Sequence, residues 1–151
     1  LVAYFSRTGN TETVAGLIAE QLGADLYAIT PAEAYPEDYQ RALEIAQQQQ
    51  DDDARPELAD TDLDLSAYDT VFIGYPIWWG IAAWPVDTFV EANDFTGKTV
   101  IPFCTSASSE LGESGTLLAE LAGTGDWQEG MRFRSSVIEA DVQAWLDELG
   151  M

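Results

Sequence analysis

Three short segments hold most of the side chains in this sequence that could do chemistry. The first, Ser6-Arg7-Thr8-Gly9-Asn10-Thr11, offers three hydroxyls, one amide and a glycine directly after the apolar run 1–5. Backbone N–H groups at the start of a helix make an anion site, and hydroxyls complete the donor set. The same residue types also suit a plain turn that caps a helix. Other glycine-loop patterns do not apply, because the Walker lysine is missing and no GxGxxG occurs. The second segment, Tyr75-Pro76-Ile77-Trp78-Trp79-Gly80, places two tryptophans side by side. Neighbouring side chains diverge, so one of them should lie against a flat partner, on which an aromatic ring stacks favourably. The alternative is a hydrophobic loop folded onto its own domain, a description that suits Trp127 and Trp145 better. The third segment, Thr105-Ser106-Ala107-Ser108-Ser109, is dense in small donors and acceptors and leads into Glu110-Leu111-Gly112. It suits hydrogen bonds to the edge of a heteroaromatic ring, and it reads equally well as a flexible serine loop.

What is missing narrows the chemistry further. The chain has no histidine, so the usual general base, His-paired nucleophiles and His-ligated metals are excluded. Cys104 is the only cysteine, which rules out internal disulfides and thiolate clusters. Redox or group-transfer chemistry would therefore be brought by a cofactor. The charge balance is extreme, with 27 acidic against 6 basic residues and Lys98 as the one lysine. Such a surface repels nucleic acid and anionic membrane and attracts a basic protein partner. Solubility or adaptation to a salty interior explains it as well.

The elements that must position these segments alternate between strand and helix. Apolar strand-like runs fall at 1–5, 26–30, 70–74 and 99–105, with a weak fifth at 129–133. Helical spacing joins Val14, Leu17, Ile18 and Leu22, with Gly23 as the stop, and recurs over 36–50 with Tyr39, Ala42, Leu43 and Ala46 on one face. Further helices are expected over 85–93 and 113–122, and Val142, Trp145, Leu146 and Leu149 mark a last one. The acidic stretch 51–64 reads as a surface loop. Pro102 sits awkwardly inside the fourth strand, since proline cannot donate to a ladder. This alternation, at 151 residues and with no linker or repeat, predicts one domain over 1–151 with a parallel sheet between helices. Ligands of such sheets sit beyond the carboxyl ends of the strands, where strand order reverses. All three unusual segments follow strands.

With these elements in place, Ser-x-Thr-Gly-Asn-Thr is similar to the phosphate loop of flavodoxins. Tyr-Pro-Ile-Trp-Trp-Gly and Phe-Cys-Thr-Ser resemble the ring-binding loops of a flavodoxin-like subfamily. The likeness runs from Leu1 to Leu149, and the Trp-Trp pair narrows it most. It implies an α/β three-layer sandwich of flavodoxin type, a five-stranded parallel sheet in the order 2-1-3-4-5, and one bound FMN. By that resemblance Ser6, Thr8, Gly9, Asn10 and Thr11 bind the phosphate with help from the N–H of Arg7. Pro76, Ile77, Trp78, Trp79 and Gly80 line one side of the isoalloxazine, and Thr105, Ser106, Ala107, Ser108 and Ser109 hold the other edge. Ala107 and Glu110 depart from the glycines of many relatives.

Two functions compete under this resemblance. One is a flavoprotein that carries electrons at low potential between larger redox partners with basic docking surfaces. The other is an FMN-dependent NAD(P)H oxidoreductase of quinone-reductase type, which needs a second pocket and cations from Arg7, Arg55, Arg132 or Arg134 to offset the anionic surface. A flavin-free scaffold fits the intact first segment less well. Fold alone decides none of these. The expected compartment is cytoplasmic, and the start at Leu1 without an initiator Met leaves room for a removed signal.

Overall fold

Runs such as Val71-Phe72-Ile73 carry no polar alternation, so the strands they form must be covered on both faces. The computed structural model describes residues 1–6, 10–29, 39–51, 68–78, 81–105, 114–128, 130–133 and 139–149. In chain order the elements are β1 (Val2–Tyr4), α1 (Asn10–Leu22), β2 (Leu26–Ala28), α2 (Tyr39–Asp51), β3 (Thr70–Trp78), β4 (Ile81–Ala82), α3 (Trp84–Ala92), β5 (Thr99–Thr105), α4 (Ser114–Ala122), β6 (Asp126–Trp127), β7 (Met131–Phe133) and α5 (Glu139–Glu148). Strand β1 lies parallel between β2 and β3, β3 continues to β5, and β5 carries β6 and β7 in tandem on its outer side. With β6 and β7 taken as one broken strand and β4 set aside, this is the expected 2-1-3-4-5 order. Among the described residues no helix is long and apolar enough to cross a membrane.

The two central strands divide the core by parity. Val71, Ile73, Tyr75, Val100 and Cys104 face α3 and α4, where they meet Val86, Phe89, Val90 and Leu118. Val2, Phe72, Ile101 and Phe103 point the other way, onto Val14 and Ile18 of α1 and Val142, Trp145 and Leu146 of α5. Trp145 meets Phe72, Phe103 and Phe133 edge-on at 5.8, 6.3 and 5.5 Å between ring centres, the arrangement ring quadrupoles favour. Trp127 packs on the first core, edge-on to Phe95, and its indole N–H donates to the Thr124 carbonyl at 2.9 Å. Helix α1 stops at Gly23, whose φ of 65° lets the Ala24 N–H reach back to the Ala19 carbonyl at 2.9 Å.

Three expectations need correction. The third strand does not end at Gly74: it runs on to Trp78 and folds back as a hairpin, pairing Ile77 with Ala82 and Trp78 with Ile81. Tyr75, Ile77 and Trp78 are strand-forming side chains, and here they outweigh Pro76 and Gly80, which read as loop punctuation. The fifth strand is split, and Pro102 accounts for the break. The carbonyls of Lys98 and Val100 accept from the N–H groups of Asp126 and Gln128, so alternate residues of β5 face that edge. The next to do so is Pro102, which has no N–H to offer. Pairing lapses there and resumes at Met131, opposite Phe103. Finally, Leu43 of α2 is 37% exposed while Ala42 and Ala46 are buried, so that helix uses a narrower stripe than its spacing suggests.

Gly74 is the tightest point of the sheet. It pairs with Phe103, and a β-carbon at Gly74 would stand 2.2 Å from the Phe103 ring. The ring is fully buried and held by Trp145, so it has no room to yield. Gly74→Ala should lower the unfolding free energy by about 1–3 kcal/mol through overpacking. Adding Phe103→Leu should recover part of that loss, as urea midpoints of the single and double variants would report.

Candidate functional site

Strand order reverses between β1 and β3, because β1 leads through α1 to β2 on one side and β3 leads to β5 on the other. A crevice at that switch point is where open parallel sheets take their ligands. Tyr4 pairs with Gly74, and the Phe5 N–H donates to the Gly74 carbonyl at 2.9 Å. Carried two residues on, this register sets Ser6 level with Pro76, which itself pairs with Thr105. The three chemically unusual segments thus leave the sheet side by side, from its three innermost strands.

Of the first segment, Ser6 is half-buried beyond β1, Asn10 opens α1 and Thr11 is its second residue, 1% exposed. Arg7, Thr8 and Gly9 lie outside the described residues. Of the second, Pro76 and Ile77 are half-buried in β3, Ile77 against the core under α3 and α4. The backbone of Trp78 ends β3, and Trp79 and Gly80 fall outside the described residues. Of the third, Thr105 closes β5 and is 5% exposed, whereas Ser106, Ala107, Ser108 and Ser109 are not among the described residues, nor is Glu110. Among the arginines able to offset the acidic surface, Arg132 lies on β7 opposite Cys104, while Arg55 and Arg134 also lie outside the described residues.

Two buried hydroxyl pairs tie these segments to the frame. Thr11 Oγ1 and Thr105 Oγ1 stand 2.7 Å apart, joining the start of α1 to the end of β5 across 94 residues of sequence. On the other face, the Tyr75 hydroxyl and Ser114 Oγ stand 2.9 Å apart and fix the start of α4 against β3. These bonds hold Thr105 at the end of β5 and Ser114 at the start of α4. Neither Tyr75 nor Ser114 stands out in the sequence as a frame residue. The available signal is parity: Tyr75 shares an inward face with Val71 and Ile73, and a buried tyrosine hydroxyl requires a partner.

Among the described residues, the hydroxyl donors near the switch point, Ser6 and Thr11, are neutral. Thr11 lies in the first turn of α1, whose N–H groups have no partner within the helix, and Ser6 follows β1 at the same end of the sheet. An anion fits such a set. Pro76 and Ile77 supply an apolar flank. Burial, followed by the charge of Glu12, raises the pKa of Tyr4 on the α1 face. No group of three or more acidic, histidine or cysteine residues among the described residues could hold a metal. A polar cleft lined by Thr96, Gly97, Lys98, Thr124 and Asp126 opens at the other end of β5, away from the strand ends where ligands bind.

A family model described as flavodoxin matches residues 1–149. A candidate flavoprotein from Bacteroides uniformis has 36% identity and a TM-score of 0.89, over 97% of this chain and 96% of its own. Another, from Bacteroides eggerthii, has 37% identity and a TM-score of 0.87, over 99% and 96%. A Lactobacillus acidophilus flavoprotein solved in complex with FMN shares the fold at 23% identity and a TM-score of 0.74, over 96% of each chain. Among curated proteins none matches.

Burial pushes the Tyr75 phenol far above its ordinary value, with the Ser114 bond acting in the opposite sense. The unfolded chain releases this proton near pH 10, while the folded chain keeps it. The resulting stability is therefore whole below about pH 10 and is lost as pH rises from there toward the folded value. Tyr75→Phe should cost about 0.5–1.5 kcal/mol at neutral pH from the lost bond to Ser114. It should also flatten the fall of the denaturation midpoint above about pH 10, which parallel urea titrations of the two proteins would show.

Proposed function

We propose that this chain, which belongs to the flavodoxin family, holds one FMN across the carboxyl ends of β1, β3 and β5 and serves as a low-potential electron carrier. The observation that carries this reading is the alignment of Ser6, Pro76 and Thr105 at the switch point, with the buried Thr11 hydroxyl beside it. The FMN reported for the Lactobacillus acidophilus flavoprotein of the same fold supports it. So does the donor chemistry, since hydroxyls and helix N–H groups suit a phosphate monoester that accepts hydrogen bonds and offers few.

On this reading Ser6, Arg7, Thr8, Gly9, Asn10 and Thr11 surround the phosphate. Pro76, Ile77, Trp78, Trp79 and Gly80 flank one side of the ring, with a tryptophan stacked on it, and Thr105, Ser106, Ala107, Ser108 and Ser109 line the opposite edge. Bound FMN supplies the redox chemistry by taking up and releasing electrons on its ring. The protein's share is to hold the phosphate, to flank the ring with apolar strand and hairpin, and to keep water from part of it. With no histidine in the chain, no imidazole moves protons for a second substrate.

A carrier is favoured over an NAD(P)H oxidoreductase by charge. A formal net charge of −21 repels a nicotinamide phosphate and steers a basic redox partner toward the molecule. The test has two steps on the same preparation. Apo protein titrated with FMN and with riboflavin should prefer FMN by about tenfold or more, since each charge-assisted bond to phosphate contributes about 1.5–3 kcal/mol. The FMN-loaded protein should then stay yellow with NADH or NADPH until a partner enzyme is added. Equal affinities would remove the phosphate site from this reading, and bleaching by the nucleotide alone would make the oxidoreductase the correct one.

A further inference from the structure

We propose that Thr105 is a positioning residue for the phosphate site: its hydroxyl, bonded to that of Thr11, directs the one proton Thr11 can give to an anion. This rests on the reading above that the FMN phosphate lies at the start of α1. The resemblance groups Thr105 with the ring-edge serines, but its side chain engages α1 at 2.7 Å.

The argument is one of proton inventory. Each threonine hydroxyl has one proton to donate and two lone pairs to receive. Two hydroxyls at this separation share one proton, which leaves one for a third group. An anion only accepts. When it sits against Thr11, the Thr11 proton must point to the anion, and Thr105 must donate to the Thr11 oxygen. The arrangement is then single, whereas in the absence of an anion either hydroxyl can be the donor. Donation into the Thr11 oxygen also strengthens the bond that Thr11 makes outward, an effect largest where water is excluded. Both residues are buried, at 1% and 5% exposure. Each is held by a rigid element: Thr11 by α1, and Thr105 by pairing to Pro76 on one side and Phe133 on the other. Ends fixed in this way keep the hydroxyl on target without help from the intervening loop.

The test compares FMN and riboflavin affinities, as a ratio, in Thr105→Val, Thr105→Ser, Thr11→Val and the double valine variant, with folding checked by circular dichroism. Valine keeps the shape and removes the hydroxyl; serine restores it. Thr105→Val should lower the FMN-to-riboflavin ratio by about five- to tenfold, and Thr105→Ser should return most of it. The double variant should fall no further than Thr11→Val alone, because the two hydroxyls act as one donor. A ratio lowered by Thr11→Val but untouched by Thr105→Val would overturn this inference and leave the phosphate site standing. A ratio untouched by Thr11→Val would remove the phosphate site itself. Equal losses of both ligands in Thr105→Val, or failure of serine to rescue, would leave Thr105 a ring-edge or structural residue and sink the relay.

Discussion

Seven consecutive residues of β3, Thr70 to Pro76, pair in unbroken parallel register with Thr99 to Thr105 of β5, and most of the molecule follows from that alignment. Once it is set, alternation decides which side chains meet α3 and α4 and which meet α1 and α5. A slip of one residue would exchange the two cores and turn Thr105 away from α1. The alignment is guarded by shape at Gly74, where the absent side chain makes room for the Phe103 ring. Any other register would bring a β-carbon against that ring. A constraint in the middle of the sheet thus fixes the positions of residues at its rim.

Among the described residues, the hydroxyls at the rim, those of Ser6, Thr11 and Thr105, are neutral donors. In a chain of net charge −21, the proposed anion site and the acidic surface act over different ranges. Surface carboxylates are screened over a Debye length of about 8 Å at physiological salt, while hydroxyls and helix N–H groups act at contact distance. Directed dipoles can therefore bind a phosphate that the surface as a whole would repel. The same division leaves the outside free to be strongly acidic, for a partner or for solubility, without weakening the interior of the site.

The sequence was legible where one local rule governs and opaque where partners are far apart. The strand over 99–105 is legible despite Pro102, because it is buried on both faces and reads as one apolar run. Helix α1 was legible from Val14, Ile18 and the Gly23 stop. The end of β3 is hidden in the sequence because Pro76 and Gly80 punctuate loops in most settings, and nothing local announces that Trp78 pairs with Ile81 across a hairpin. Pro102 was noticed as an anomaly, yet its resolution needed the position of β6 and β7 along the edge. The bond between Thr11 and Thr105 was beyond reach: no periodicity links residues 94 positions apart, and their meeting is a property of the sheet order. Of the three segments, the described residues on β1, β3, β5 and the start of α1 leave the same end of the sheet, while nothing in the sequence marks Tyr75 and Ser114 as the pair that anchors the frame beneath them.

The interruption at Pro102 has a further consequence, for behaviour in crowded solution. An exposed sheet margin invites another chain to add a strand, and long straight margins are the usual seeds of aggregation. Here that margin is cut into pieces of two and three residues, and the β2 margin opposite is three residues long among the described residues. Mutual repulsion between acidic molecules also keeps them apart, but it fades as salt is added. A broken margin does not depend on ionic strength. The protein is therefore defended against self-association twice over, once by charge and once by shape, and the second defence persists under the salty conditions that disable the first.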